Sequence, residues 1–197
     1  MKRICVFCGS SPGTDPAYTA TARQLGILLA EKKITLVYGG AKVGLMGHIA
    51  KSVLEAGGRV TGVIPKKLYE KEVAFTEISD LRVVGSMHER KALMAELSDG
   101  FIAMPGGLGT VEEFFEVLTW AQLGLHRDPC GLLNVKGYFD RLIGFIDHIA
   151  GQQFLDSEHR GMLLEDEDPL SLLDKFEKYT PPKADKASWA LKLENNI

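Results

Sequence analysis

Apolar residues along the chain gather into short, β-branched runs, and between these runs they recur every three or four positions. The runs predict strands over 4–8, 35–38, 59–64, 81–84, 101–104 and 130–134, each apolar enough to be covered on both faces. The intervening stretches predict helices over 16–32, 44–56, 87–98, 110–123 and 138–152, with a last one over 169–178. Strand alternating with helix, at connections too long for hairpins, is the pattern of an α/β fold: a single-domain, doubly wound parallel sheet with helices on both faces. The domain is expected over residues 1–180. Pro181-Pro182 ends the last helix, and residues 181–197 read as a C-terminal tail, either loose or docked through Trp189, Leu191 and Leu193.

Composition adds one anomaly. The chain has 21 glycines in 197 residues, where an average frequency of ~7% gives about 14. Nine of them cluster at three predicted strand ends: Gly9 and Gly13, then Gly39, Gly40, Gly44 and Gly47, then Gly106, Gly107 and Gly109. Ligands of open α/β sheets bind outside the carboxyl ends of the strands. Glycine lets backbone amides approach a ligand there, and a helix starting just beyond offers unpaired amides to a phosphate. The plainer alternative is a set of ordinary tight turns.

The spacing narrows the ligand. Gly39-Gly40-Ala41-Lys42-Val43-Gly44 opens like a Walker A loop but continues Leu45-Met46, with no Lys-Ser/Thr for a γ-phosphate and its metal. No Gly-x-Gly-x-x-Gly follows the first strand, so NAD and FAD are disfavoured as well.

The net charge is −3, which argues against a nucleic-acid binder. Residues 1–91 nevertheless carry 14 Lys and Arg against 8 Asp and Glu, an excess that favours an anionic ligand in this half or is simply solvated. No run approaches the ~20 apolar residues of a membrane span, no secretory signal is evident, and the expected compartment is the cytoplasm. Cys5 and Cys8 spell Cys-x-x-Cys, but three residues of strand separate their Cα atoms by ~10 Å, so they read as buried apolar residues. The five histidines lack ligand spacing, and no metal or cofactor is expected.

Two segments carry candidate chemistry. Thr110 and Glu113 have capping-box spacing, which makes Glu113 either a helix cap or a carboxylate beside whatever the glycine loop holds. Ser86 and Glu89 repeat the spacing, yet Arg90 and Lys91 follow in a first turn that disfavours cations. They are either paired with Glu89 or Glu96, or aimed at an anionic partner. Across the predicted helix from Thr110, the apolar residues Val111, Phe114, Phe115, Val117, Leu118 and Ala121 cover an arc of roughly 160°, wider than one sheet contact usually requires, so the remainder is covered either by a helix of a second subunit or by the core of its own.

Pro105-Gly106-Gly107-Leu108-Gly109-Thr110-Val111-Glu112-Glu113, with Met87-His88-Glu89-Arg90-Lys91 before it and Leu118-Thr119-Trp120-Ala121-Gln122 after it, resembles the Lonely Guy family of cytokinin-activating phosphoribohydrolases. The likeness extends back through Gly44-Leu45-Met46-Gly47 and Tyr38-Gly39-Gly40 to Cys8-Gly9-Ser10-Ser11. It implies a Rossmann-like homodimer that hydrolyses the N-glycosidic bond of an N6-modified adenosine 5′-monophosphate, or of AMP itself, to the free base and ribose 5-phosphate. By that resemblance Arg90 and Glu113 match the catalytic pair. Gly107, Leu108, Gly109 and Thr110 match the loop around the phosphoribosyl group, and Val111, Glu112, Gly9, Ser10, Gly39, Gly40 and Met46 are further expected substrate-binding residues. Lys91, Thr119 and the more distant Glu72 match substrate contacts.

Relatives have been labelled lysine decarboxylases, which implies pyridoxal phosphate; no residue constellation here supports it. Elementary chemistry agrees with the hydrolase. Cleaving a ribosyl–purine bond builds oxocarbenium character, which a carboxylate such as Glu113 stabilises directly or by orienting water. Arg90 either relieves charge on the leaving base, holds the phosphate or orients Glu113. The alternative function is a carrier of a phosphorylated ligand or cofactor, without turnover, on the same scaffold.

Overall fold

A computed structural model describes residues 1–71, 73–182, 189 and 191. Among these, β1 (Arg3–Phe7), β2 (Thr35–Tyr38), β3 (Val60–Pro65), β4 (Asp80–Val84), β5 (Phe101–Ala103), β6 (Cys130–Leu133) and β7 (Leu163–Asp166) form one sheet. Its order is β4-β3-β2-β1-β5-β6-β7, and every neighbouring pair is parallel. The helices are α1 (Pro16–Glu31), α2 (Gly44–Glu55), α3 (Lys66–Tyr69), α4 (Met87–Glu96), α5 (Leu108–Gln122), α6 (Asp140–Gly151), α7 (Ser157–Arg160) and α8 (Pro169–Lys178). The fold is the expected doubly wound α/β sheet.

The alternation of β1 shows how the sheet divides its core. Ile4, Val6 and Cys8 pack on the face covered by α1, α2 and α8, whereas Cys5 and Phe7 pack on the face covered by α4, α5 and α6. Successive side chains of a strand point to opposite faces, so Cys5 and Cys8 are parted by the sheet itself. Both are free and buried, and burial pushes both thiols up, so neither is a thiolate near neutral pH.

Helix starts follow local chemistry. Asp15-Pro16 and Asp168-Pro169 open α1 and α8 alike: the aspartate accepts an amide hydrogen bond, from Ala17 and Ser171 respectively, each at 2.8 Å, and proline takes the first helical position. Ser86 caps α4 by accepting from the Glu89 amide at 3.1 Å, but the return bond differs from the expected box. Glu89 Oε2 accepts from the Gly85 amide at 2.8 Å instead of from Ser86.

Two expectations need correction. The apolar runs predict six strands and seven are present: β7 pairs with β6 at the sheet edge, where one side is open, so Leu163-Leu164-Glu165-Asp166 need not be apolar throughout. Helix α5 begins at Leu108, not Thr110, with Gly107 at the cap and no side-chain capping bond. Thr110 therefore lies inside the first turn, and Glu113 does not cap this helix. Of the tail, Trp189 is half-buried and Leu191 exposed, and Leu193 lies outside the described residues.

Candidate active site

The strand order reverses between β1 and β5, and in such sheets the ligand crevice opens where the order reverses. Backbone hydrogen bonds stitch the loops there. The Gly9 amide donates to Pro105 O at 3.0 Å, and the Leu45 amide donates to Gly9 O at 3.0 Å, tying the ends of β1, β2 and β5 into one rim.

Most of the clustered glycines are explained by the protein's own packing. A Cβ on Gly39 would collide with the Arg90 guanidinium, one on Gly47 with the Lys42 backbone, and one on Gly106 with the Thr110 side chain. Gly107 and Gly109 differ, because a Cβ on either would meet nothing within 4 Å. Both lie at the start of α5, Gly107 at its cap and Gly109 within its first turn, where glycine costs roughly 0.5–1 kcal/mol of helix stability relative to alanine. The first helical bond of α5 runs from the Val111 amide to Gly107 O, so the amides of Leu108, Gly109 and Thr110 precede the ladder and lack a side-chain cap. Unpaired amides, the positive end of a helix dipole and bare backbone facing open space suit an anion.

Two cavities meet at this rim. One, of about 350 Å³, is bounded by the β1 loop, the start of α5 and the first turn of α4, with Met46, Met87 and Met94 on its wall. The other, of about 320 Å³, shares Gly9, Ser10 and Gly107 and is flanked by Tyr18 and Tyr138, which meet edge to face with ring centres 5.7 Å apart. The Tyr138 hydroxyl donates to Gly106 O at 2.6 Å and steadies the glycine loop.

In the first cavity Arg90 Nη1 donates to Glu113 Oε1, and Arg90 Nε donates to Val63 O at 3.1 Å. Both side chains are buried. The guanidinium is thereby pinned between the end of β3 and α5, and its Nη2 lies against Gly39. Burial pushes the Glu113 carboxyl above the ordinary glutamate range, and the Arg90 charge opposes part of that rise. A buried carboxylate held in place and kept basic suits a charge-stabilising or water-orienting role. Arg90 and Lys91 are not solvated partners of Glu89 or Glu96: Lys91 Nζ bonds Glu112 Oε1 at 2.5 Å and Glu116 Oε1 at 3.1 Å, clamping α4 to α5.

Of the residues singled out from sequence, Arg90, Glu113, Gly9, Ser10, Gly39, Met46, Gly107, Leu108, Gly109 and Thr110 line the first cavity. Gly40 does not; its φ of +76° makes the turn after β2. Lys91 and Glu112 bond each other, Val111 is half-buried, and Thr119 borders a separate apolar cavity of about 220 Å³ between α5, α6 and α7. Glu72 lies outside the described residues. Sequence reading misses Met87, Met94, Tyr18 and Tyr138, for which ordinary core spacing is the only signal.

The family model described as "Possible lysine decarboxylase" matches residues 46–176. A probable cytokinin riboside 5′-monophosphate phosphoribohydrolase of Oryza sativa subsp. japonica is 50% identical over 181 residues, covering 92% of this chain and 80% of its own length. Cytokinin riboside 5′-monophosphate phosphoribohydrolases of Arabidopsis thaliana are 49% and 46% identical; the alignments cover 92% and 97% of this chain, and 83% and 91% of those proteins. The chain belongs to the cytokinin riboside 5′-monophosphate phosphoribohydrolase family. Among the described residues, no lysine lines either cavity at the rim. The family fold is shared more widely. The molybdenum cofactor binding protein of Rippkaea orientalis superposes with a TM-score of 0.68 at 22% identity, covering 90% of this chain and 97% of that one. The molybdenum cofactor carrier protein of Chlamydomonas reinhardtii gives the same TM-score at 20% identity, covering 90% and 96%.

Proposed function

We propose that this chain hydrolyses the N-glycosidic bond of adenosine 5′-monophosphate or its N6-modified forms, releasing the free base and ribose 5-phosphate. The 5′-phosphate binds the unpaired amides at the start of α5, from Leu108 to Thr110, with Gly107 and Gly109 admitting it. The ribose lies over Glu113, whose carboxylate faces the anomeric carbon. As the C1′–N9 bond breaks, the electron pair leaves with the purine, positive charge grows at C1′ beside Glu113, and a water oxygen adds to C1′, one of its protons passing through the Glu113 carboxylate or solvent to the departing purine. Arg90 holds Glu113 in register and presents Nη2 to the substrate. The purine rests against the polarizable thioethers of Met46 and Met87. Curated relatives named for this reaction, half identical over nearly the whole chain, support the reading.

The observation that carries it is a buried Arg90–Glu113 pair lining the same cavity as an uncapped, glycine-bordered helix start. The active form is a cytoplasmic homodimer. Phe145 (59% exposed) and Phe154 (81% exposed) stand uncovered on and beside α6, next to the cavity that Thr119 borders, and a second copy seated there would cover them. The three cysteines, all free and buried, suit a reducing compartment. Among the described residues no helix is long and apolar enough to cross a membrane.

The decisive experiment incubates the purified protein with AMP and with isopentenyladenosine monophosphate and separates the bases by chromatography. Free base from at least one is expected. Tight binding without base release would instead favour the carrier reading suggested by the molybdenum cofactor proteins of similar fold, although a carrier has no use for a carboxylate at the anomeric carbon.

A further inference from the structure

The excess of positive charge in the first 91 residues is not absorbed by the candidate active site, where Arg90 and Lys91 are already paired. It gathers at the opposite end of the sheet. Because β1 to β4 are parallel and adjacent, their amino ends line up along one edge. There a cavity of about 530 Å³ is lined by Lys2, Arg3, Lys33, Arg59 and Arg82 against a single carboxylate, Asp80. Four neighbouring strands at ~4.8 Å spacing make this a stripe of cations roughly 15 Å long.

These cations are poorly compensated. Asp80 is already engaged, accepting from Thr61 Oγ1 at 3.0 Å and from Arg82 at 3.2 and 3.3 Å. Asp99, nearby, accepts the Lys2 and Arg3 amides at 2.7 and 2.9 Å and lies 4.0 Å from the Arg3 guanidinium. Lys2, Lys33 and Arg59 form no ion pair among the described residues. Uncompensated like charges gathered in a concave site repel one another until an anion enters.

Lys33 is placed at this edge by the turn that ends α1. After α1 the Lys33 amide donates to Ala30 O and the Ile34 amide to Leu29 O, which is the helix-ending pattern that puts its central residue in the left-handed region. The same turn uses Gly57 after α2, Gly124 after α5 and Gln153, at φ +62°, after α6; here Lys33 takes φ +57°. The strained residue is one whose side chain lines the cationic cavity.

We infer that the amino-terminal edge of β1–β4 is a binding site for a compact polyphosphate. No aromatic side chain lines the cavity, so there is no platform for a base, and recognition rests on the phosphate chain alone. The site is independent of the hydrolase reading.

The test titrates inorganic triphosphate into the full chain by calorimetry, beside Lys33→Gly, Arg59→Ala, the double variant and Arg90→Ala. With ribose 5-phosphate present to fill the candidate active site, wild type should bind one equivalent with an affinity that falls steeply with salt. Each single variant should weaken binding about 5-fold and the double variant about 20-fold or more. Lys33→Gly should meanwhile melt higher than wild type, which separates loss of the site from loss of the fold. Arg90→Ala and excess ribose 5-phosphate should leave binding unchanged, and ATP should bind within a fewfold of triphosphate. Absent binding, competition by ribose 5-phosphate, loss in Arg90→Ala, or equal affinity in the double variant would overturn the proposal. So would a much tighter complex with a single-stranded oligoribonucleotide that is lost in the same variants.

Discussion

At the carboxyl end of the sheet the charged side chains of the candidate site are matched: the buried Arg90 meets the buried Glu113 and Val63 O, and Lys91 meets Glu112 and Glu116 nearer the surface. At the amino end Lys33 and Arg59 are exposed and unmatched among the described residues. The same strands build both ends, so the difference lies in the segments attached at each. Beyond the carboxyl ends, helices α4 and α5 close over the loops and supply counter-charges, and the proposed phosphate site is made of backbone amides. At the amino ends no helix closes over the cavity among the described residues, and in the proposed site side-chain cations take the part that amides play at the other end. A backbone site is neutral when empty and costs little to keep, whereas an exposed cationic site repels itself and weakens with salt.

The contrast between the two ends is tested most severely at Glu113. Glu113→Gln keeps size and shape, and turnover should fall by about 10³-fold in the base-release assay, while circular dichroism and melting change little. If rate survives and stability falls, Glu113 is structural only. Arg90→Ala should cut turnover by roughly 10²-fold and also cost ~3 kcal/mol in urea unfolding, because it strands the buried Glu113.

The titration of the two ends should differ too. Burial raises the Glu113 carboxyl, so the folded chain keeps a proton that the unfolded chain has released. Its contribution to stability is therefore fully present below the ordinary glutamate pKa and is lost as pH rises through the raised value. Unfolding free energy measured across pH should show this fall in wild type and not in Glu113→Gln. The acid limb of kcat/KM should likewise lie above the ordinary glutamate range, since the ionised carboxylate is the working form.

Smaller effects are expected from backbone and surface changes. Gly109→Ala should stabilise the fold by roughly 0.5 kcal/mol through helix propensity and raise KM by crowding the amides, seen by denaturation and initial rates together. Lys33→Gly, at the other end, should stabilise by up to ~1 kcal/mol by relieving the left-handed strain and leave base release unchanged. Arg59→Ala should move neither stability beyond about 0.5 kcal/mol nor turnover, and differ from wild type only in triphosphate titration.

Legibility in the sequence tracks how local each feature is. The 35–38 strand and the 169–178 helix match at both ends, because a short apolar run and an Asp-Pro start are complete signals within a few residues. The edge strand β7 is illegible, since half its residues are polar and only its pairing with β6 identifies it. The start of α5 is misleading because Thr110 and Glu113 have perfectly good capping spacing. The helix instead starts at Leu108, which leaves Thr110 inside the first turn, and the Glu113 carboxylate bonds Arg90, 23 residues earlier in sequence, inside the protein.

From sequence alone come the doubly wound fold, the glycine-rich strand ends, the failure of the Walker and dinucleotide spacings, and a family resemblance that the curated relatives bear out. These rest on periodicity and short motifs, which act over a few residues. Only the tertiary structure decides which glycines face open space, that Arg90 and Glu113 bond in a buried cavity, and that the basic residues of the first half meet along one edge. Each of those depends on contacts between segments far apart in the chain, and distance in space is fixed by the packing of the sheet rather than by neighbours in sequence.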